Sequence, residues 1–191
     1  MKLIIIEGPD RIGKTTLIKN LCEYFNFDNI TIRHFGKPPS CLSFKESLNY
    51  QLNSFKKEAH LFQHIRKKYD LKKCYYNEVV IWNRSHLGEY VYSSLYRNGN
   101  KKTILKRLLN FETKELVPYK DEIYLITMIT DDIDILLNRD DGLSFSKKTE
   151  DRLIEIKLFE EIHSLSLLSN KLLINVDNDP INVLNKVINF I

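Results

Sequence analysis

Short apolar runs rich in β-branched residues alternate along the chain with longer segments whose apolar positions recur every three or four residues. The short runs predict strands at 2–6, 29–34, 78–82, 122–128 and 171–176. The helically spaced segments fall between them: 14–25, with Leu17, Ile18 and Leu21 on one face; 42–74, read as two pieces; 85–96; 101–110; 131–138; and 149–168. Thr130 is placed to cap the 131–138 helix, and Asp179 caps a last helix with Pro180 at its first position. Apolar strands separated by helices predict an α/β fold, a five-stranded parallel sheet with helices on both faces. Ligands of such sheets lie beyond the carboxyl ends of the strands, so the residues that follow each strand are where chemistry is sought. The whole span 1–191 reads as one domain, and the polar stretch at about 139–148, with its Asp-Asp-Gly, reads as a loop between two helices.

Composition narrows the classes. The chain has 191 residues, 43% hydrophobic and 28% charged, which fits a globular domain and not a disordered or fibrous one. Its apolar runs are far shorter than the roughly 20 residues that span a bilayer. No secretory signal is read at the start, so no membrane partner and a cytoplasmic location (a host's cytoplasm, for a viral source) are expected. Cysteines 22, 41 and 74 show no paired spacing and read as reduced thiols. His60 and His64 share a helix face but lack a third ligand, so no zinc site is read. The formal net charge of +4 suits an anionic ligand, but it is too small to imply nucleic acid. The lysine doublets read as solvated faces.

One motif carries specific chemistry. Residues 8–15 read Gly-Pro-Asp-Arg-Ile-Gly-Lys-Thr, which matches G-x-x-x-x-G-K-[ST] between a predicted strand and a predicted helix. Gly8 and Gly13 let successive backbone N–H groups turn inward, and the helix N-terminus adds positive potential. Residues Gly8, Pro9, Asp10, Arg11, Ile12, Gly13, Lys14, Thr15 and Thr16 are therefore expected to hold ATP. Lys14 is expected to reach the terminal phosphates, and the Thr15 hydroxyl to ligate Mg²⁺. A guanidinium at Arg11 is placed to stabilise the transferring phosphoryl group. Asp10 is unusual, because a carboxylate beside phosphates needs an Arg or a ligand hydroxyl to compensate it. Elsewhere, Phe62 and Arg66 lie four apart on a predicted helix. On spacing alone they read as a core ring and a solvated cation.

Glu7 to Leu17 resembles the N-terminus of thymidylate kinases, whose pattern is E-G-x-D-[RG]-x-G-K-[ST]-T. The likeness extends less specifically over most of the chain. It implies a three-layer P-loop kinase fold with a small lid at about 139–148, a homodimer, and nucleotide substrates. It also implies that Asp10 contacts the acceptor's sugar hydroxyl and that Arg11 is the catalytic arginine. Phe62-x-x-x-Arg66 matches the family's F-x-x-x-R, which holds thymine. Asn83-Arg84-Ser85 stands where the family has Asp-Arg-[Tyr/Phe], which implies that Arg84 grips the acceptor phosphate and that Tyr92 lies near the base. Asn83 departs from the family's Asp. It is expected to meet Mg²⁺ only through water, with Glu89 or Asp10 supplying the missing charge. The same Asn-Arg-Ser-His words also resemble a strand end of class-II polyphosphate kinases. Lys37 is expected to replace a family phosphate-binding Arg, and Arg139 to touch ATP from the lid.

The expected activity is ATP-dependent phosphorylation of a deoxynucleoside monophosphate, dTMP first, with Mg²⁺. The alternative is another P-loop kinase, a deoxynucleoside kinase or a polyphosphate-dependent nucleotide kinase. A nucleoside acceptor needs a base, and Glu7 is the residue to test for it. Nucleic-acid-directed P-loop proteins and non-catalytic nucleotide binders are the more distant classes.

Overall fold

β-Branched and apolar residues on both sides of the three central strands leave the middle of the sheet no face for water, so helices must cover both. The computed structural model describes residues 1–25, 30–72, 78–139, 148–177 and 179–191, without the side chains of 69–72. Its elements are β1 (Lys2–Glu7), α1 (Lys14–Phe25), β2 (Ile30–His34), α2 (Phe44–Lys72), β3 (Val79–Asn83), α3 (His86–Tyr96), α4 (Lys101–Phe111), β4 (Ile123–Ile129), α5 (Asp134–Leu137), α6 (Thr149–Leu165), β5 (Asn170–Asn175) and α7 (Pro180–Phe190). The five strands are all parallel, in the order β2-β3-β1-β4-β5. β1 is therefore central, and Leu3 to Ile6 are fully buried. The register sets Ile6 beside Asn83 and Glu7 beside Thr127, so the carboxyl ends of β1, β3 and β4 lie together.

Four expectations change in the structure. The segment read as two helical pieces is one helix, α2, as far as Lys72; Cys74 lies outside the described residues. The helix expected over 131–138 shrinks to Asp134–Leu137. Thr130 does not cap it, because its hydroxyl accepts from the Asp132 N–H at 3.1 Å and closes a local turn first. α6 stops at Leu165, three residues early. There the Lys171 ammonium donates to the carbonyls of His163, Ser164 and Ser166 at 2.9, 3.1 and 2.9 Å and closes the helix end. Between α4 and β4 the chain runs through a π-helical turn (Glu112–Leu116) and a 3-10 segment (Val117–Glu122) that the apolar pattern did not signal. The expected lid falls mostly on 140–147, outside the described residues. Among the described residues no helix is long and apolar enough to cross a membrane.

Candidate active site

The turn after β1 is built for close backbone approach. Gly8 has φ 140°, and a Cβ there would stand against the Met128 carbonyl oxygen. Gly13 has φ 107°. Between them Arg11 sits at φ 70°, a left-handed conformation that costs a side-chain-bearing residue about 1–3 kcal/mol. The Lys14 ammonium is buried and folds back to donate to the carbonyl oxygens of Gly8 (2.7 Å) and Pro9 (2.6 Å). Burial pushes its pKa down to about 8, and Arg84 pushes the same way, while Asp10, Glu7 and Glu155 oppose them. Thr15 and Thr16 are exposed at the start of α1. Arg139, also exposed, lies over the turn, with Nη1 3.6 Å from where a Gly13 Cβ would stand.

The end of β3 faces this turn. Arg84, at φ 68°, donates from Nη2 to Asp10 Oδ1 at 2.5 Å, which supplies the compensation that Asp10 needed. Ser85 caps α3. Its hydroxyl donates to Glu7 Oε1 at 2.6 Å, and the Gly88 N–H donates to the same oxygen at 3.1 Å. Burial raises the Glu7 carboxyl above its ordinary range, against the pull of Ser85 and the nearby cations. Asn83 donates from Nδ2 to His34 Nδ1 at 2.8 Å, and its Oδ1 is buried without a hydrogen-bond partner.

A cavity of about 750 Å³ opens between the two strand ends. Asp10, Arg11, Lys14, Thr15, Thr16, Lys37, Asn83, Arg84 and Arg139 all line it. Five of these are cations and one is a carboxylate already paired, so the cavity suits a polyanion. A second, apolar slot of about 40 Å³ lies on the other flank, where Ile12, Leu17, Met128 and Arg139 meet Val176 and Pro180. Among the described residues no cluster of three His, Cys, Asp or Glu could hold a metal by itself.

The acceptor side requires a correction. Phe62 is buried in the core with its ring edge-on to Tyr119, centroids 6.3 Å apart, and Arg66 Nε donates to Glu122 at 2.6 Å. Tyr119 and Glu122 immediately precede β4, at the amino ends of the strands, so neither Phe62 nor Arg66 reaches the cavity. The part of α2 that does face the site is a turn or more earlier, at Gln51 and Phe55. A narrow cleft of about 30 Å³ leads off the cavity past Arg84, lined by these two with Phe35, Glu89, Tyr92 and Arg97. Tyr92 is in place near the site, but its hydroxyl donates to Glu155 on α6 at 2.6 Å. Burial, then the Glu155 and Asp10 charges, push its pKa well above the ordinary phenol value. Glu89 does not serve Asn83. It is bound by Arg97 (2.7 and 3.3 Å) and Ser93 (2.8 Å). Gln51, Phe55, Arg97 and Glu155 carried no motif. Only the packing of α2 and α6 against α3 assembles them.

The thymidylate kinase family model matches residues 6–188. No protein of curated function matches the chain in sequence. Among solved structures, thymidylate kinase from Ehrlichia chaffeensis superposes with a TM-score of 0.62 at 16% identity, over 98% of this chain and 97% of that one. YorR from Bacillus subtilis, solved in complex with phosphorylated GDP, gives 0.54 at 17% identity over 98% and 94%. Polyphosphate kinase 2 from Arthrobacter aurescens gives 0.60 at 10% identity over 98% of this chain and 66% of that one.

Proposed function

The chain belongs to the thymidylate kinase family and is a nucleoside monophosphate kinase; from that premise we propose that it transfers the γ-phosphoryl group of ATP to a deoxynucleoside monophosphate, dTMP first. The observation that carries the reading is the Arg84–Asp10 pair at 2.5 Å, which joins the acceptor-side strand end to the phosphate turn across a cation-lined cavity. We read 1–191 as one domain.

The donor's phosphates lie in the turn 8–15, with its base toward the apolar slot at Ile12 and Val176. Lys14 exchanges the Gly8 and Pro9 carbonyls for phosphate oxygens. Arg84 grips the acceptor phosphate, with Lys37 as a second cation. An oxygen of that phosphate attacks the γ-phosphorus, the bond to the bridging oxygen breaks, and ADP departs with the electron pair. Arg11 and Arg139 balance the charge spread over the transferring group. The acceptor oxygen is already ionised, so no general base is required. This suits Glu7, which is buried behind Ser85 and away from the cavity wall. Mg²⁺ fits the donors present: the Thr15 hydroxyl and, through a water, the unpartnered Asn83 Oδ1 would hold it beside the phosphates. Bound there, it supplies positive charge to the phosphates.

The test is ADP release from ATP-Mg²⁺ against a panel of nucleoside monophosphates, deoxynucleosides and polyphosphate. Guanine nucleotides belong in it, because YorR was solved with phosphorylated GDP. Turnover with dTMP supports the reading. Turnover only with nucleosides or polyphosphate overturns it.

A further inference from the structure

The charged pair in the narrow cleft has no task in the phosphate chemistry above. Glu89 is 5% exposed, and Arg97 reaches it from the far end of α3 to form an ion pair at 2.7 Å. Burying such a pair is a weak source of stability against apolar residues of the same size. It sits beside rings: Phe35 packs on Phe55 at 4.5 Å and on Trp82 at 5.4 Å, and both Phe35 and Phe55 line the cleft. The cleft is a slot of about 30 Å³ off a cavity of about 750 Å³, with Arg84 lining both.

The order of groups along α3 gives the slot a polarity. Arg84, the phosphate grip, precedes the helix. Glu89 lies in its first turn. The Arg97 guanidinium reaches back from beyond the helix end onto the far side of that carboxylate (2.7 and 3.3 Å) and onto Ser93 Oγ, one turn further along, at 3.0 Å. A nucleotide anchored by its phosphate at Arg84 therefore meets an acceptor-only carboxylate first and a donor-only guanidinium beyond it. Thymine, uracil and guanine present a matching edge, a ring N–H followed by a carbonyl. Cytosine and adenine present a ring-nitrogen lone pair followed by an amino group, which sets acceptor against acceptor and donor against donor.

Resting on the kinase reading, we propose that Glu89 and Arg97 together read the base edge of the acceptor and select a keto-imide base over an amino base. The ring N–H donates to Glu89, and the carbonyl accepts from Arg97.

The experiment measures kcat/KM for dTMP, dUMP, dGMP, dCMP and dAMP with the wild type, Glu89→Gln and Arg97→Gln, and the ATP KM in each. The wild type is expected to prefer the keto bases by about a hundredfold or more, since a site built to hydrogen-bond an edge rejects the edge that lacks it. Each variant offers an amide that can both donate and accept, so the preference is expected to fall about tenfold or more, with the ATP KM unchanged. A purely structural role lowers all five substrates alike and leaves their ratios intact, which overturns the proposal. A wild type that prefers dCMP or dAMP also overturns it while leaving the kinase reading standing. A wild type that turns over none of the five overturns both. The double variant Glu89→Gln/Arg97→Gln, which leaves no lone buried charge, guards against a single variant that fails to fold.

Discussion

Arg11 holds a backbone angle that glycine would hold without strain, inside a turn where the sequence had already spent two glycines. A residue kept in that conformation at a phosphate site is read as kept for its side chain. Arg11→Gly is expected to raise stability by about 1 kcal/mol and to lower kcat by about a hundredfold or more, as loss of a phosphoryl-stabilising arginine does. Thermal unfolding and steady-state kinetics on the same preparation check both. A variant that loses activity without gaining stability removes the strain argument. Lys14 gives the second prediction at this scale. Its pKa is about 8 in the fold and 10.5 as the ordinary value, so between those limits the unfolded chain binds more protons and stability rises with pH. Lys14→Met is expected to abolish phosphoryl transfer and to remove this rise, worth roughly 3 kcal/mol. Urea unfolding of both proteins without nucleotide at pH 7 and pH 10 reads the difference. A gap between them that stays constant with pH refutes it.

At the scale of elements, strands and capped helices were legible because their signals are local: β-branched runs, Asp179 before Pro180, the glycines of the phosphate turn. The shortened α5 and the π-helical turn were not, because distant groups decide them. Glu112 opens that turn fully buried, accepting from His86 Nε2 at 2.9 Å, the Ser166 hydroxyl at 2.7 Å and the Leu167 N–H at 2.7 Å. These partners come from the start of α3 and the end of α6, so one carboxylate ties together three elements that are far apart in sequence. Burial pushes its pKa up, but those hydrogen bonds hold it below the ordinary carboxylate value. Its contribution is therefore present at neutral pH and is lost as pH falls through its folded pKa. Glu112→Gln is expected to cost about 3 kcal/mol at pH 7, leaving His86 with a weaker partner, and the cost is expected to hold down to the ordinary carboxylate value of 4.5 and to shrink only below it, toward pH 2. Urea unfolding across that range measures it. A cost independent of pH would show that shape, not charge, is what the turn requires.

At the scale of the molecule, the residues that line the large cavity could be placed from the sequence and those that line the narrow cleft could not, for a geometric reason. The phosphate turn and Arg84 follow strand ends directly and Asn83 closes β3, and a parallel sheet with β1 at its centre brings those ends together without further information. Residues on α2 carry no such address. The helix has 29 residues, about 43 Å at 1.5 Å per residue, while the neighbouring β3 has 5 residues and spans about 17 Å. It therefore passes the site at one end and the opposite edge of the sheet at the other. A ring and an arginine four apart match a binding motif anywhere along it, and the fold alone assigns Gln51 and Phe55 to the cleft and Phe62 and Arg66 to the far end. This separates two substitutions on one helix. Arg66→Ala breaks a partly exposed pair with Glu122, so it is expected to cost less than about 1 kcal/mol and to leave both KM values unchanged. Gln51→Ala removes the amide that donates to the Gly36 carbonyl at 2.7 Å and holds the loop after β2 against the cleft. It is expected to raise the acceptor KM about fivefold or more and to cost about 1 kcal/mol of stability, with the ATP KM unchanged. If Arg66→Ala instead raised the acceptor KM and Gln51→Ala did not, the base would lie at the other end of α2, and the cleft beside Arg84 would lose its assignment.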